Sequence, residues 1–157
     1  MNYGVEMEIT TLVNEYPDGK MDIKTKGKRI FKLSDPNNLS TENLYSEGDV
    51  EFQQVEEDST FEERLLLLEQ AQKLFKLIHF KNNLTPNDSF LSYKLAHNVG
   101  LSISMKYHLL CLPSEKDRIN IILDHLNRTV PVIKEMELSK QRAKMNGHFK
   151  KFNKLDF

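Results

Sequence analysis

Apolar and polar residues alternate in two short runs near the start of the chain, from Val5 to Thr10 and from Met21 to Lys26. The segment between them contains Pro17-Asp18-Gly19. A period of two is typical of β-strands, proline presets φ for a turn, and glycine supplies the positive φ that tight turns require. This pattern predicts an antiparallel β-hairpin.

Two further strands are predicted before the pattern changes. Arg29–Leu33 is the third strand candidate, with Gly27 just ahead of it as a bend or bulge. A loop rich in turn-forming residues follows at 34–38, and Asp49–Val55 is the fourth candidate. The front of the chain therefore reads as a small sheet.

After residue 58 the apolar residues recur with the helical period of about 3.6. Ser59-Thr60-Phe61-Glu62 has the spacing of a capping box, in which a hydroxyl and a carboxylate three residues later satisfy the first backbone N–H groups. The first helix is therefore predicted from Thr60 to Ile78. Its predicted buried stripe is Phe61, Leu65, Leu68, Ala71, Gln72 and Phe75.

Three more helices follow in the same way. They are predicted at Asp88–Asn98, with Gly100 as a C-terminal cap, at Ser102–Leu110, and at Ser114–Lys144. Pro131 lies inside the last of these and is expected to break or kink it, because proline lacks a backbone donor and clashes with the preceding turn.

Sheet first and helices afterwards predicts an α+β protein with a β-lobe over residues 3–58, a helical lobe over 59–145 and a tail over 146–157. The charge divides along the same line. Residues 1–58 contain 13 acidic and 6 basic residues, whereas residues 59–157 contain 10 acidic and 16 basic ones. Phosphate binding depends on Lys and Arg, so the acidic front half makes a nucleic-acid partner there unlikely.

The apolar segments, the cysteine and the histidines narrow the classes of protein to which the chain can belong. No apolar run is long enough for a membrane span and no signal peptide is recognised, so a cytoplasmic protein is expected. The single cysteine, Cys111, fits a reducing compartment and lies in an apolar run, which favours a structural thiol. No metal site or cofactor is predicted, because the five histidines show no ligand spacing: His79, His97, His108, His125 and His148.

The tail interleaves basic and aromatic residues, and two interpretations stay open. Phe149, Phe152 and Phe157 could dock back on the domain, which would remove three costly aromatic rings from water. Alternatively, they could stack on the bases of a single-stranded nucleic acid.

Several of these segments together resemble the N-terminal substrate-binding domain of Lon proteases. In the β-lobe they are Gly4–Ile9, the Pro-Asp-Gly hairpin and Lys26–Arg29 before an apolar strand; in the helical lobe they are Gly100–Leu110, Ser114–Ile119 and Leu123–Leu126. The resemblance covers nearly the whole chain and rests on order and spacing. It implies an antiparallel β-lobe of the PUA-like type, followed by a helical bundle.

Two features depart from that family's pattern. The family's β-lobe begins with a leading strand, a Phe-Pro-Gly turn and a short helix, which this sequence lacks, so a front-truncated lobe is expected. The spacing from Gly27 to Arg29 is one residue shorter than usual, and no role is carried over to that arginine. An incomplete lobe would leave apolar side chains and a strand edge uncovered, for which the candidates are Val5, Met7 and Ile9.

The resemblance implies non-catalytic recognition of unfolded or damaged polypeptide, with a possible role as an adaptor in protein quality control. The sequence shows neither a Walker loop nor a Ser-Lys dyad, so neither ATPase nor protease activity is expected. Exposed apolar residues of the β-lobe are the candidate peptide contacts: Phe31, Tyr45 and Phe52. The alternative function is RNA binding, because PUA-like lobes are similar to RNA-binding folds. A further expectation is that the open β-edge pairs with another copy of the chain or, alternatively, with a client peptide.

Overall fold

The computed structural model of the chain describes residues 2–34 and 47–148. The chain divides into two compact units after Glu56. The first unit contains an antiparallel three-stranded sheet and the second contains four helices, which confirms the predicted α+β class. Tyr45 and the aromatic residues of the tail (Phe149, Phe152 and Phe157) lie outside the described residues, so the predictions about them stay predictions.

The predicted hairpin is confirmed and is longer than its sequence pattern. Strand β1, Tyr3–Glu15, pairs antiparallel with β2, Met21–Leu33. At the turn, the Gly19 N–H donates to the carbonyl of Tyr16 at 2.9 Å, and Gly19 has a φ of +84°. That backbone conformation is strained for residues with a Cβ, which explains why glycine follows Pro-Asp here.

The predicted third strand is not separate, because β2 continues through Gly27 to Leu33. The expected bulge is present one residue later: Glu6 pairs with Arg29 and Met7 with Gly27, so Lys28 has no opposite residue. The fourth predicted strand is shorter than expected. Of the predicted segment Asp49–Val55, the structure assigns Val50–Phe52 to a strand, β3, which pairs with the end of β2, and the sheet order among the described residues is β1-β2-β3.

Helix α1, Phe61–Leu77, begins with a capping box shifted by one residue from the prediction. Thr60, not Ser59, accepts from the Glu63 N–H at 3.2 Å, and the Glu63 carboxylate accepts from the Thr60 N–H at 2.9 Å. The sequence offers both boxes. Glu63 also lies 3.1 Å from the ammonium of Lys116 on the last helix, a tertiary contact that favours the second box.

The buried face of α1 is correspondingly rotated from the predicted stripe. Leu68, Ala71 and Phe75 are buried as expected, whereas Phe61, Leu65 and Gln72 are exposed. Leu67 and Leu74 are buried in their place.

Helices α2, Leu91–Ala96, and α3, Ile103–Cys111, follow. Helix α2 is shorter than predicted because Phe90 has a left-handed φ of 51°, which prevents the helix from starting earlier. The predicted cap of α3 is confirmed: the Ser102 hydroxyl accepts from the Met105 N–H at 3.2 Å.

Helix α4, Glu115–His148, is continuous over 34 residues, so it does not break at Pro131, and the alternative of a bend there stays a prediction. Pro131 itself is exposed, where water can satisfy the carbonyl that loses its partner. Val130 and Ile133 on either side pack against the helical core and hold the helix in place. Within the described ranges, no helix has the length and apolar character needed to cross a membrane.

Candidate functional site

An aromatic cluster lies on one face of the sheet, where the three strands meet. Gly4, Phe31 and Phe52 are direct cross-strand neighbours on β1, β2 and β3, and such neighbours point to the same face. Phe52 is 46% exposed and Phe31 is half-buried. We call this surface the aromatic face; it comprises Gly4, Glu6, Arg29, Phe31, Val50 and Phe52.

Gly4 makes the position of the Phe31 ring possible. A Cβ atom at residue 4 would lie 2.5 Å from Cζ of Phe31, closer than real contacts allow. The ring therefore lies directly across the β1 backbone. Beside it is an open hollow of about 520 Å³, lined mainly by apolar residues: Tyr3, Gly4, Phe31, Leu33, Glu47, Gly48 and Val50.

Arg29 connects the aromatic cluster to β1. Its Nε donates to Oε2 of Glu6 at 2.6 Å and its Nη2 donates to Oε1 at 3.1 Å, which is a bidentate pair. The same guanidinium lies 3.6 Å from the ring centroid of Phe52, within cation–π distance. These hydrogen bonds raise the pKa of Arg29 and lower the pKa of Glu6.

The sequence did not indicate this role for Arg29. The signal was present, however, because Arg29 and Phe31 are two residues apart on one strand and must therefore share a face. What the sequence lacked was the register that brings Glu6 and Phe52 to either side of the guanidinium.

The structure thus brings together two of the three predicted peptide contacts, Phe31 and Phe52. Their proximity does not test whether they bind peptide. The third, Tyr45, lies outside the described residues.

The three predicted edge residues lie on the opposite face of the hairpin. Val5 and Met7 flank Gly27, whose Cβ position is 3.1 Å from Cγ1 of Val5 and 3.8 Å from Sδ of Met7. Met7 is 53% exposed and Ile9 is 62% exposed. Large apolar residues nearer the turn are exposed as well: Leu12, Val13, Met21 and Ile23.

The helical unit contains a buried polar cluster that the sequence did not reveal. Nη2 of Arg118 lies 2.7 Å from Oε2 of Glu115, and both side chains are almost fully buried. The Ser92 hydroxyl donates to Glu115 at 2.7 Å, and Arg118 also donates to the carbonyls of Leu112 and Pro113 at 2.6 and 2.8 Å. Because the charged groups pair with one another and with the backbone, we interpret the cluster as a structural contact that holds the helices together.

The metal-ligating and titratable side chains of the described residues were candidates for a second site. In the part of the chain that the structure describes, no three His, Cys, Asp or Glu side chains are grouped to hold a metal ion. His125 hydrogen-bonds through Nε2 to the carbonyl of Val99 at 2.9 Å, which is a structural contact. Burial raises the pKa of Tyr93, whose ring lies 4.2 Å from the Arg118 guanidinium.

The chain thus combines a sheet unit that has an exposed aromatic face with a helical unit that has a buried core. Comparison with known proteins gives the family. The profile of the ATP-dependent protease La (LON) substrate-binding domain matches residues 1–128, and the chain belongs to this family. Its class is therefore that of substrate-binding domains.

A solved structure agrees on the fold. The crystal structure of a Lon N-terminal domain protein from Xanthomonas campestris superposes with a TM-score of 0.58 at 19% sequence identity. The similarity covers 79% of this chain and 68% of that one. A search of curated proteins gives no significant match.

Proposed function

We propose that this chain recognises exposed apolar segments of unfolded or damaged polypeptides through the aromatic face, without catalysing a reaction. The observation that carries the proposal is the exposed Phe52 ring, which lies next to Phe31 on the sheet and against the guanidinium of Arg29. Family membership supports substrate recognition in general.

The chemistry of the aromatic face suits such a ligand. Phenylalanine and arginine are both enriched in protein interfaces relative to the rest of the protein surface. The hollow beside Phe31 offers an apolar recess for one side chain of a bound segment. The Phe31 ring lies against Gly4 and the Phe52 ring against Arg29, and such prior contacts reduce the ordering that binding requires.

An adaptor in protein quality control is the role that fits this activity. In that role, captured polypeptide would be passed to a protease that degrades it. We also propose that the protein acts in the cytoplasm, because a single cysteine fits a reducing compartment.

Binding of a permanently unfolded protein tests the proposal. Fluorescently labelled casein is titrated with the full chain and followed by anisotropy, with a folded protein of similar size as the negative control. Phe52→Ser is expected to weaken binding by about tenfold, the usual effect of losing a central aromatic contact. Tyr16→Ser is the matched control, because Tyr16 is 42% exposed on the same hairpin but lies at its turn.

Equal binding by wild type and Phe52→Ser would show that the aromatic face is not the site. No binding of casein at all would reject the function. ATP turnover or casein cleavage that survives repurification would reject the non-catalytic assignment.

RNA binding is the second candidate, because β2 contains five basic residues: Lys24, Lys26, Lys28, Arg29 and Lys32. Two of them are already paired with carboxylates on β1, Lys28 with Glu8 and Arg29 with Glu6. A single-stranded RNA oligonucleotide in the same anisotropy assay distinguishes the two functions, since RNA affinity falls steeply with added salt.

A further inference from the structure

Among the described residues, no strand pairs with the outer edge of β1, and the first half of that strand contains no extra residue of its own. β1 is an end strand of the sheet, and none of the backbone hydrogen bonds found among the described residues joins Val5–Glu15 to anything beyond the hairpin. Pairing with β2 skips Thr10 and Val13, so both residues bulge from β1. Bulges disrupt a strand edge, which leaves Val5–Ile9 as the segment that can accept another strand.

The side chains of this segment differ sharply between the two faces. Val5, Met7 and Ile9 point to one face and are apolar. Glu6 and Glu8 point to the other, and their side chains remain 38% and 47% exposed although each has a basic partner on β2. β1 contains three acidic residues and no basic one, so the charged groups on the strand next to an incoming segment are carboxylates, and Glu6 and Glu8 each have one basic neighbour on β2.

This charge pattern disfavours a second copy of the chain. Suppose that Val5–Ile9 paired antiparallel, over its full length, with the same segment of a second copy. Met7 would then lie opposite Met7, and Glu6 of each copy would lie opposite Glu8 of the other. Like charges directly opposite each other destabilise a strand pair, whereas opposite charges stabilise it.

We propose that the Val5–Ile9 edge binds an extended polypeptide segment in which apolar residues alternate with lysine or arginine. Backbone hydrogen bonds to the free edge supply affinity, as in other cases of strand addition. The apolar side chains of the segment extend the surface of Val5, Met7 and Ile9, and its basic side chains reach Glu6 and Glu8. This inference rests on the proposed function, because it specifies which segments of a client polypeptide are taken up.

Four labelled peptides test the proposal with the full chain. Three nine-residue peptides alternate valine with lysine, serine or glutamate, and the fourth has the composition of the lysine peptide but groups its valines and lysines in two blocks. We expect the alternating lysine peptide to bind roughly fivefold tighter than the serine peptide, and the glutamate peptide to bind weakest. If charge alone determined binding, the block peptide would bind as tightly as the alternating lysine peptide. Because strand addition also requires the alternating pattern, we expect the block peptide to bind more weakly. The preference should shrink in 1 M salt.

Glu8→Lys should reverse the order of the lysine and glutamate peptides. Glu15→Lys makes the same charge change on the same strand beyond the bulges and should leave the order unchanged. Far-UV circular dichroism verifies that both variants fold.

The outcomes separate the two proposals. Equal affinity for all four peptides, with casein still bound, overturns the edge inference and leaves the aromatic face as the site. Failure of casein and of all peptides overturns both. A dimer in light scattering that the lysine peptide does not displace would place a second copy on the edge and overturn the inference.

Discussion

The two units of this chain use their apolar residues in opposite ways. Among the described residues, fifteen apolar side chains are buried; fourteen belong to the helical unit, and Ile30 is the only one in the sheet. The hairpin, by contrast, exposes residues as large as Met7, Ile9 and Leu12. The helical unit therefore has a core of its own, whereas the sheet presents apolar surface to whatever it contacts.

The same contrast appears among the charges. The helical unit buries an arginine–glutamate pair, Arg118 with Glu115, and surrounds it with hydrogen-bonding partners. The sheet keeps its equivalent pair, Arg29 with Glu6, exposed and stacked on an aromatic ring. One pair fixes helices, and the other lies on a surface that can meet a ligand.

The largest expected effect comes from placing a carboxylate in each unit. Leu68 is 3% exposed, so Leu68→Asp buries an unpaired charge and should cost several kcal/mol, enough to unfold the helical unit. Met7→Asp introduces the same group at a residue that is 53% exposed and should change stability little. Thermal melting followed at 222 nm compares them. Similar melting of Leu68→Asp and wild type would contradict the described helical core.

Removing one arginine from each ion pair gives the next largest effect. Arg118→Met leaves Glu115 buried without its cation and should cost about 3–5 kcal/mol in urea unfolding. Arg29→Met should have a much smaller effect, because both partners are solvated. Equal losses for the two variants would remove the distinction between the structural and the surface pair.

Gly4→Ala probes the aromatic face itself. The added methyl group would lie 2.5 Å from Cζ of Phe31 and displace the ring, at a cost of about 1 kcal/mol, and casein binding should weaken. Gly27→Ala is the matched control on β2, where the new methyl group would lie 3.1 Å from Cγ1 of Val5 and can be accommodated by a small shift. Unchanged casein binding by Gly4→Ala would show that the Phe31 position does not matter for recognition.

The sequence was most informative where the signal is local. The hairpin turn at Gly19 and the Ser102 cap depend on residues within a few positions of each other, and both were predicted correctly. The α1 capping box was predicted one residue early, because Ser59-Thr60 and Glu62-Glu63 offer two overlapping boxes. The choice between them involves Lys116, which is more than fifty residues away in the sequence.

The features that the sequence missed depend on distant contacts. Pro131 is tolerated because neighbours on both sides of it pack against the helical core, which no local pattern reports. The Arg118 cluster draws its partners from α2, α4 and the loop between α3 and α4. At the candidate site, Phe31 and Phe52 were predicted as separate exposed residues, but their pairing and the Arg29 contact require the strand register.

The smallest expected effect is the contribution of one carboxylate in each unit, Asp88 and Asp18, to stability in acid. Asp88 accepts hydrogen bonds from the ammonium of Lys94 at 2.7 Å and from the Thr85 backbone N–H at 2.7 Å. These bonds lower the pKa of Asp88 from 3.8 to about 2. In the sheet unit, a hydrogen bond from Lys20 lowers the pKa of Asp18 as well.

A carboxylate with a depressed pKa stabilises the fold above its unfolded pKa, and that contribution disappears as the pH falls through its folded pKa. The contribution of Asp88 should therefore be complete above about pH 4 and lost near pH 2. Asp88→Asn should melt below wild type at pH 7, and the two should converge at pH 2. Asp18→Asn should show the same trend with a smaller gap, because its carboxylate lies in a hairpin turn with few tertiary contacts. A gap for Asp88→Asn that stays constant from pH 7 to pH 2 would mean that the asparagine change acts through packing and not through the charge.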